Sequence, residues 1–404
     1  MTERLYWLDA YLREFEAQVV EVRPVDHGCA VILDRTAFYP TSGGQMHDTG
    51  QLAGFPVEDV VEEDGVVIHK VRGHVAEGAN VRCSLDWERR FDFMQQHTAF
   101  HVLAQAFLRV TGAQTLSSHL GEEVSTLELA LGEIDQETLA AAEELANRVL
   151  WANRPVRSYF VEADEAAQLP LRKRPAVNGR IRLIEIADFD LDPCSGTHVA
   201  ATGEVGLVKI VGREKLRGHL RFRFVAGKRA VRDYGQKAAT LEALAGELTT
   251  GEGEVLSSVR KLREELQNTT RQLRASQERL LIALRESLLS TQPDSILQVV
   301  EELEGLDWAL VRKLAFQLLD GGIPTVILAQ SAPAVHLAVG TRLSGADLRA
   351  LVPELCTRLG AKGGGRPHFV EVAGGQREHL PATVAWLRSA VEHLAGKEAR
   401  SSGS

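Results

Sequence analysis

Cysteine is scarce: Cys29, Cys83, Cys194 and Cys356 are scattered over 404 residues. Four so dispersed thiols cannot make a disulfide framework, which fits a reducing compartment and leaves any special cysteine as a ligand or a nucleophile. Long apolar runs are missing too. Nothing approaches the roughly 18 unbroken apolar residues a membrane helix needs, and Met1-Thr2-Glu3-Arg4-Leu5 opens the chain without an apolar signal core. The expectation is a soluble, cytoplasmic protein with no membrane partner. An excess of positive charge is absent as well: 46 Lys and Arg face 55 Asp and Glu, for a formal net charge of -9. That excludes a chain that coats nucleic acid indiscriminately, though not one with a local basic face. Internal repeats and low-complexity segments are also lacking. What remains, 44% hydrophobic and 25% charged residues, is the mix of an ordinary folded protein. Its length predicts roughly three units of about 100 to 150 residues each.

From Glu16 to Trp87 the chain shows short β-rich runs punctuated by Gly and Asp, and Glu62-Glu63-Asp64-Gly65 between two valine-rich segments predicts a hairpin. Apolar residues at helical spacing then run from Asp86 to Val110 and stop at Gly112; a second helix, Gln136 to Trp151, has Asp135 as its N-cap. Strands return between Arg157 and Val225, including Arg180 to Ile186 and His219 to Phe224. Heptad spacing of Val259, Leu262, Leu266, Leu273 and Leu280 predicts a helical hairpin or short coiled coil that Pro293 ends. Beyond it, a helix over 307–319, strands over 325–328 and 335–339, a helix over 345–359, a glycine-rich loop and a strand over 369–372 describe an α/β unit. The fold class is therefore α+β multidomain. A small β-barrel-like domain spans 1–88, an α+β domain with a metal site 89–232, a helical or coiled-coil linker 233–292, an α/β domain 293–397 and a disordered tail 398–404.

The strongest local signal is His97-Thr98-Ala99-Phe100-His101 on the first helix. Residues four apart stand one turn above each other, so two imidazoles can hold one ion. Two surface histidines are the plain alternative, and a second pair weighs against it. Cys194-Ser195-Gly196-Thr197-His198 supplies a thiolate and an imidazole at the same spacing. One Cys and three His make a borderline-soft set suited to zinc, one ion per chain, and not to magnesium or calcium.

These two pairs, with Phe38-Tyr39-Pro40-Thr41-Ser42-Gly43-Gly44-Gln45 and Asp48-Thr49-Gly50 ahead of them, resemble the editing half of alanyl-tRNA synthetase, and most closely the free-standing alanyl-tRNA editing proteins called AlaX. The likeness runs to about Gly227. Ser195 departs from the family's usual Cys-Gly-Gly-Thr-His, and His47 stands where a small residue is common; neither removes a ligand. The C-terminal part resembles the synthetase's DHHA1-type domain, as in the long form of AlaX, with Ala361-Lys362-Gly363-Gly364-Gly365-Arg366-Pro367-His368 as a loop able to present N–H groups and cations to phosphate. The family implies a hydrolase that removes serine, or glycine, from mischarged tRNA(Ala). It implies Gln45 in editing, and Thr41 and Ser42 are the hydroxyls that join it as candidates for reading the substrate.

Between Gly206 and Gly235 nine Lys or Arg side chains face only Glu214 and Asp233. Lys215, Arg217, Arg221 and Arg223 are the tRNA-contact candidates there, with Lys362 and Arg366 farther on, and Arg172-Lys173-Arg174 extends the basic face. Two other readings stay open: a non-catalytic tRNA-binding protein with structural zinc, and a zinc-dependent deacylase of another aminoacyl-tRNA. A homodimer through the helical or C-terminal region is a further expectation.

Overall fold

The structure, a computed structural model, describes residues 2–173, 179–291, 297–300, 306–331 and 335–401. The chain forms two compact units, Met1–Leu244 and Ala245–Ser404.

Near the start of the first unit six strands, β1 (Glu14–Val25), β2 (Gly28–Leu33), β3 (Gly50–Leu52), β4 (Phe55–Glu63), β5 (Val66–Val71) and β6 (Asn80–Leu85), close into a barrel in the order β1-β2-β5-β4-β3-β6, beside a short two-stranded pair of Glu3–Arg4 with Arg35–Thr36. Closure leaves no open edge. Alternate residues fill the interior, with Phe15, Ala17 and Val19 of β1 meeting Val31, Val60 and Cys83. The expected hairpin joins β4 to β5 with Asp64 and Gly65 both at positive φ (49° and 79°), the conformation a two-residue type I′ turn requires.

Helix α1 (Trp87–Thr111) follows, capped by the Asp86 side chain, which accepts from Arg89 N, and ended by Gly112 at φ 73°. It is buried almost all round from Phe93 to Phe107, so its polar side chains must find partners inside the protein. Strands β7 (Thr115–Leu120) and β8 (Ser125–Leu129), helix α2 (Gln136–Trp151), strands β9 (Val156–Val161), β10 (Ile181–Ile186), β11 (Asp190–Pro193), β12 (Val208–Leu216) and β13 (His219–Ala226), and helix α3 (Gly227–Glu247) complete this part. Asp135 caps α2 as expected, accepting from Thr138 N at 2.7 Å. The strands form a four-stranded sheet, β12-β13-β8-β7, and a three-stranded one, β9-β10-β11. Phe107 of α1 packs on Phe222 of β13, ring centroids 4.8 Å apart, in a core shared with Leu127, Ala142 and Ala146.

Loop 34–49, which carries the Phe38 to Gln45 motif, is tied to α1 by a fully buried ion pair. Arg90 Nε donates to Asp48 at 3.0 Å, its Nη1 to Ala10 O at 2.9 Å, and Asp48 Oδ2 also accepts from Tyr39 N at 2.6 Å.

In the second unit α4 (Val255–Thr291) is a single long helix. The seam residues Val259, Leu262, Leu266, Leu273 and Leu280 are 47 to 68% exposed. A five-stranded sheet, β14 (Leu297–Val300), β15 (Thr325–Gln330), β16 (His336–Thr341), β17 (Lys362–Arg366) and β18 (Phe369–Ala373), has the order β14-β15-β16-β18-β17, and α5 (Trp308–Asp320), α6 (Val352–Leu359) and α7 (Leu380–Ser401) accompany it. Ile327 and Ala329 face one apolar cluster and Val326 and Leu328 another, so both faces of β15 are covered.

Three expectations change here. The glycine-rich segment is an edge strand, not a loop. A Cβ at Gly363 or Gly365 would run into the backbone of β18, so these glycines permit close strand approach. Lys362 and Arg366 consequently stand at opposite ends of β17, about 13 Å apart at the usual rise per residue. The helix expected over 345–359 begins only at Val352, after a short 3-10 turn, with a proline in its first turn. The last helix reaches Ser401 and so takes in the first four residues assigned to the tail; 402–404, like Pro293 and Arg174, lie outside the described residues. No described helix is long and apolar enough to cross a membrane.

Candidate metal centre and active site

Helix α1 brings His97 and His101 to one face, and the turn after β11 carries Cys194 and His198 against them. The four ligand atoms lie within 4.8 Å of one another. Cys194 Sγ is 3.3 Å from His97 Nε2 and 3.4 Å from His198 Nε2. Zinc–nitrogen and zinc–sulfur bonds of about 2.1 and 2.3 Å in a tetrahedron require edges of roughly 3.3 to 3.6 Å. The donor set and these two sulfur–nitrogen separations therefore fit zinc.

Each histidine is oriented by a bond at its other nitrogen. His97 Nδ1 donates to Gln45 Oε1 (2.8 Å) and His101 Nδ1 to Asp190 Oδ2 (3.1 Å), and His198 Nδ1 is hydrogen-bonded to Thr98 Oγ1 (3.2 Å). That leaves all three Nε2 lone pairs for an ion, the usual support of a zinc histidine. Gly196 N donates to Cys194 Sγ at 3.3 Å. Arg182 Nη1 holds the turn by donating to Cys194 O (2.9 Å) and Gly196 O (2.8 Å), while Trp7 Nε1 donates to Ser195 O (2.9 Å).

The electrostatics prepare Cys194 and His198 for an ion, whereas His101 has to give up a proton to bind one. Burial opposes a Cys194 thiolate, yet the adjacent His97 and His198 rings and bonds from His101 and His198 hold it well below the ordinary thiol range. Burial and the His97 ring push His198 down to about 3. For His101, burial is outweighed by Asp190 and Cys194, and the ring rises to about 9. Asp190 in turn accepts from Arg172 Nε at 3.0 Å, and Arg172 Nη2 reaches Asp192 at 2.5 Å.

A cavity of about 460 Å³ opens onto His97, His101 and Cys194. Gly43, Ser118 and Ser195 form a polar wall and Phe100 and Leu108 an apolar one. Of the residues expected to read a substrate, none lines it. Gln45 is fully buried, with Oε1 accepting from His97 and from Thr197 N (3.2 Å) and Nε2 donating to Thr197 Oγ1 (2.9 Å). Its amide is spent on the histidine and the Cys turn. Thr41 turns its hydroxyl to His47 Nδ1 (3.1 Å), and Ser42 pairs through its backbone with Gln45. Asp190 and Thr98 were hidden from sequence reasoning although each sits within four residues of a ligand; Ser118 carried no motif at all.

The basic segment is offset by Glu133 and Glu128 from elsewhere in the chain and by its own Glu214. Lys215 pairs with Glu133 (2.8 Å), Arg221 with Glu128 (2.6 Å) and more loosely with Glu214, and Arg223 approaches Glu214 at 4.0 Å; Arg217 is exposed and has no ion pair among the described residues. Arg172, its side chain only 6% exposed, belongs to the Asp190 and Asp192 cluster and not to a basic face.

Residues 10–89 match the family of class II (A) tRNA synthetases, and residues 181–222 the threonyl and alanyl tRNA synthetase second additional domain. The chain is 30% identical, over 95% of its length and 96% of the relative's, to the alanyl-tRNA editing protein AlaX-L of Pyrococcus horikoshii. It belongs to the AlaX family. The AlaX-M protein of Methanosarcina acetivorans is 39% identical over 229 residues, 52% of this chain and 92% of that one. The alanine-tRNA ligase of Hyperthermus butylicus is 33% identical over 92% of this chain, which spans only 42% of that ligase. The Cys194 and His198 half of the centre lies inside the second matched segment, whereas His97 and His101 lie between the two.

Proposed function

We propose that this AlaX chain is a trans-editing hydrolase that cleaves the ester joining serine to tRNA(Ala), with glycine as the second substrate to test. The observation that carries this reading is the Cys194, His97, His101, His198 centre opening onto a cavity of about 460 Å³ in a chain that matches AlaX-L over 95% of its length. A synthetase pocket for alanine cannot strongly exclude a molecule that only adds a hydroxyl, so a second site must destroy the error and must favour that hydroxyl. Ser118 and Ser195 are placed to accept or donate to it; Gln45, Thr41 and Ser42 act from behind, by fixing His97 and the motif loop.

Zinc bound by the four residues would supply Lewis-acid polarisation of an ester carbonyl. The protein's own part is to hold three Nε2 atoms and the Cys194 sulfur on one point, and to seat the small side chain between Phe100 and the serine hydroxyls. The exposed Lys215, Arg217, Arg223, Lys362 and Arg366, with the half-buried Arg221, are the residues for tRNA phosphates. Exposed ion pairs such as Lys215 with Glu133 are worth about 0 to 1 kcal/mol, so a phosphate can displace the glutamate.

The full four-ligand shell favours one second reading, a structural zinc in a tRNA-binding protein. Zinc-loaded protein assayed on Ser-, Gly- and Ala-tRNA(Ala) separates the two: release of serine with alanine spared supports editing, and tight tRNA binding without hydrolysis of any of them supports the structural role.

A further inference from the structure

The second unit holds a cleft of about 1030 Å³, lined by α5, by the residues that follow β16 and by the turn between β17 and β18. Arg312, Phe316 and Asp320 stand at intervals of four on one face of α5, and each is tied to the sheet or to the residue that follows it. Arg312 Nε approaches Glu371 Oε1 at 3.3 Å, Phe316 stacks on Phe369 with ring centroids 4.8 Å apart and planes 26° from parallel, and Asp320 accepts from Arg342. Phe369 covers one face of the Phe316 ring, and the residue, 47% exposed, stands open at the cleft. An uncovered aromatic face is a platform for another flat ring. The β17–β18 turn adds Arg366 and His368, both exposed, and Arg366 has no ion pair among the described residues. The charged lining is thus three arginines and a histidine against the single carboxylate of Glu371, which Arg312 and Trp308 Nε1 (2.8 Å) already hold.

A ring to stack on, beside a guanidinium free to fork onto an anion, is the chemistry that recognises a nucleotide. The placement of charge favours a single phosphate. Arg312 and Arg342, at the two ends of the α5 row, are each engaged by a carboxylate, so the row offers little to the successive phosphates of a polynucleotide, whereas the β17–β18 turn presents the unpaired Arg366, with His368 as a second donor, to one terminal phosphate. We infer that this cleft binds a free nucleoside monophosphate, its base stacked on Phe316 and its phosphate on Arg366 and His368. The site belongs to the second unit and the metal ligands to the first, so the inference does not depend on the editing reading. Arg366 is also among the residues for tRNA phosphates, so the mononucleotide and the tRNA body compete for it.

The test is calorimetry on the full-length protein with AMP and with its two halves, adenosine and ribose 5-phosphate. AMP should bind at least about tenfold tighter than either half, because stacking and the phosphate contact act together. Phe316→Ala should weaken AMP about tenfold, the value of one stacked base, while Phe316→Tyr, which keeps the ring, should hold the parent affinity. Arg366→Gln should weaken AMP by a similar factor. Both side chains are exposed, so the urea midpoints of the variants should stay at the parent value. AMP binding no tighter than that of ribose 5-phosphate, or unchanged in both Phe316→Ala and Arg366→Gln, overturns the assignment. So does a parent protein that shows no AMP binding and loses tRNA affinity on Phe316→Ala, which would make the cleft an RNA contact.

Discussion

Gly196 lies so close to His97 that a Cβ at position 196 would fall on the imidazole, nearest its Cε1 and Nδ1 atoms. The glycine of the Cys-Ser-Gly-Thr-His motif is thus a spacing requirement: the ring of one ligand fills the volume that a side chain on the other ligand's turn would need. Gly196→Ala should displace His97 from both Gln45 and the metal position and lower zinc affinity about 10- to 100-fold, the range seen when ligand support is lost. Competition with a chromophoric chelator measures it, and unchanged affinity would mean that the turn can move away at no cost.

Gln45→Ala should lower zinc affinity by a similar factor, and hydrolysis should fall in step with metal occupancy, because the amide orients His97 Nδ1 and clasps Thr197. If hydrolysis collapses while zinc stays fully bound, Gln45 touches the substrate after all.

Asp48→Ala leaves Arg90 charged and fully buried without its carboxylate. Removing one partner of such a pair costs about 3 to 5 kcal/mol, and urea unfolding should show a loss of that size. A change under about 1 kcal/mol would show that the carbonyls of Ala10 and Ala37 suffice for the guanidinium.

His69 is buried in the barrel between Thr36 Oγ1 (2.8 Å) and Val31 O (3.0 Å), and burial lowers its pKa to about 4. The depressed value means that the unfolded chain takes up the proton first. Its contribution is therefore present above pH 6.5 and lost as pH falls from there through 4, reaching about 3 kcal/mol. His69→Gln should flatten this part of the urea stability profile; an identical slope in the variant would place the titration elsewhere.

Ending the chain near Thr249 should leave a folded, zinc-binding first unit, since all four ligands and their supports lie before Leu244. The shortened protein should hold full-length tRNA more weakly and with a shallower salt dependence, because linked phosphate contacts are gone. Equal tRNA affinity of both forms at every salt concentration would assign the second unit to another task, with self-association along the exposed α4 seam as the one to measure by sedimentation.

Much of the fold was legible because it is written in local pattern. Asp135 before α2, Gly112 after α1 and the Asp64-Gly65 turn act through their own backbone conformation, which neighbours in sequence decide. The alternation in β1 and the i, i+4 pairs at 97 and 101 are equally local. The glycines at 363 to 365 misled for the same reason: alone they signal a turn, and only the backbone of β18 lying against them makes them a strand.

The sequence by itself determined the donor set, one sulfur and three imidazoles, because ligand chemistry belongs to residue type and because spacing of four puts each pair on one side of its own segment. Only the tertiary structure decided what stands behind the ligands and what opens in front of them. Asp190, Thr98 and Gln45 reach the three Nδ1 atoms from three different segments, and Ser118, on a strand without any motif, joins Ser195 in the lining of the cavity. The same holds for charge: the basic surplus from 206 to 235 is a sum along the chain, while Glu128 and Glu133 offset it through space. Hydrogen bonds and ion pairs act over a few ångströms whatever the separation in sequence, so these roles exist only once the chain is folded.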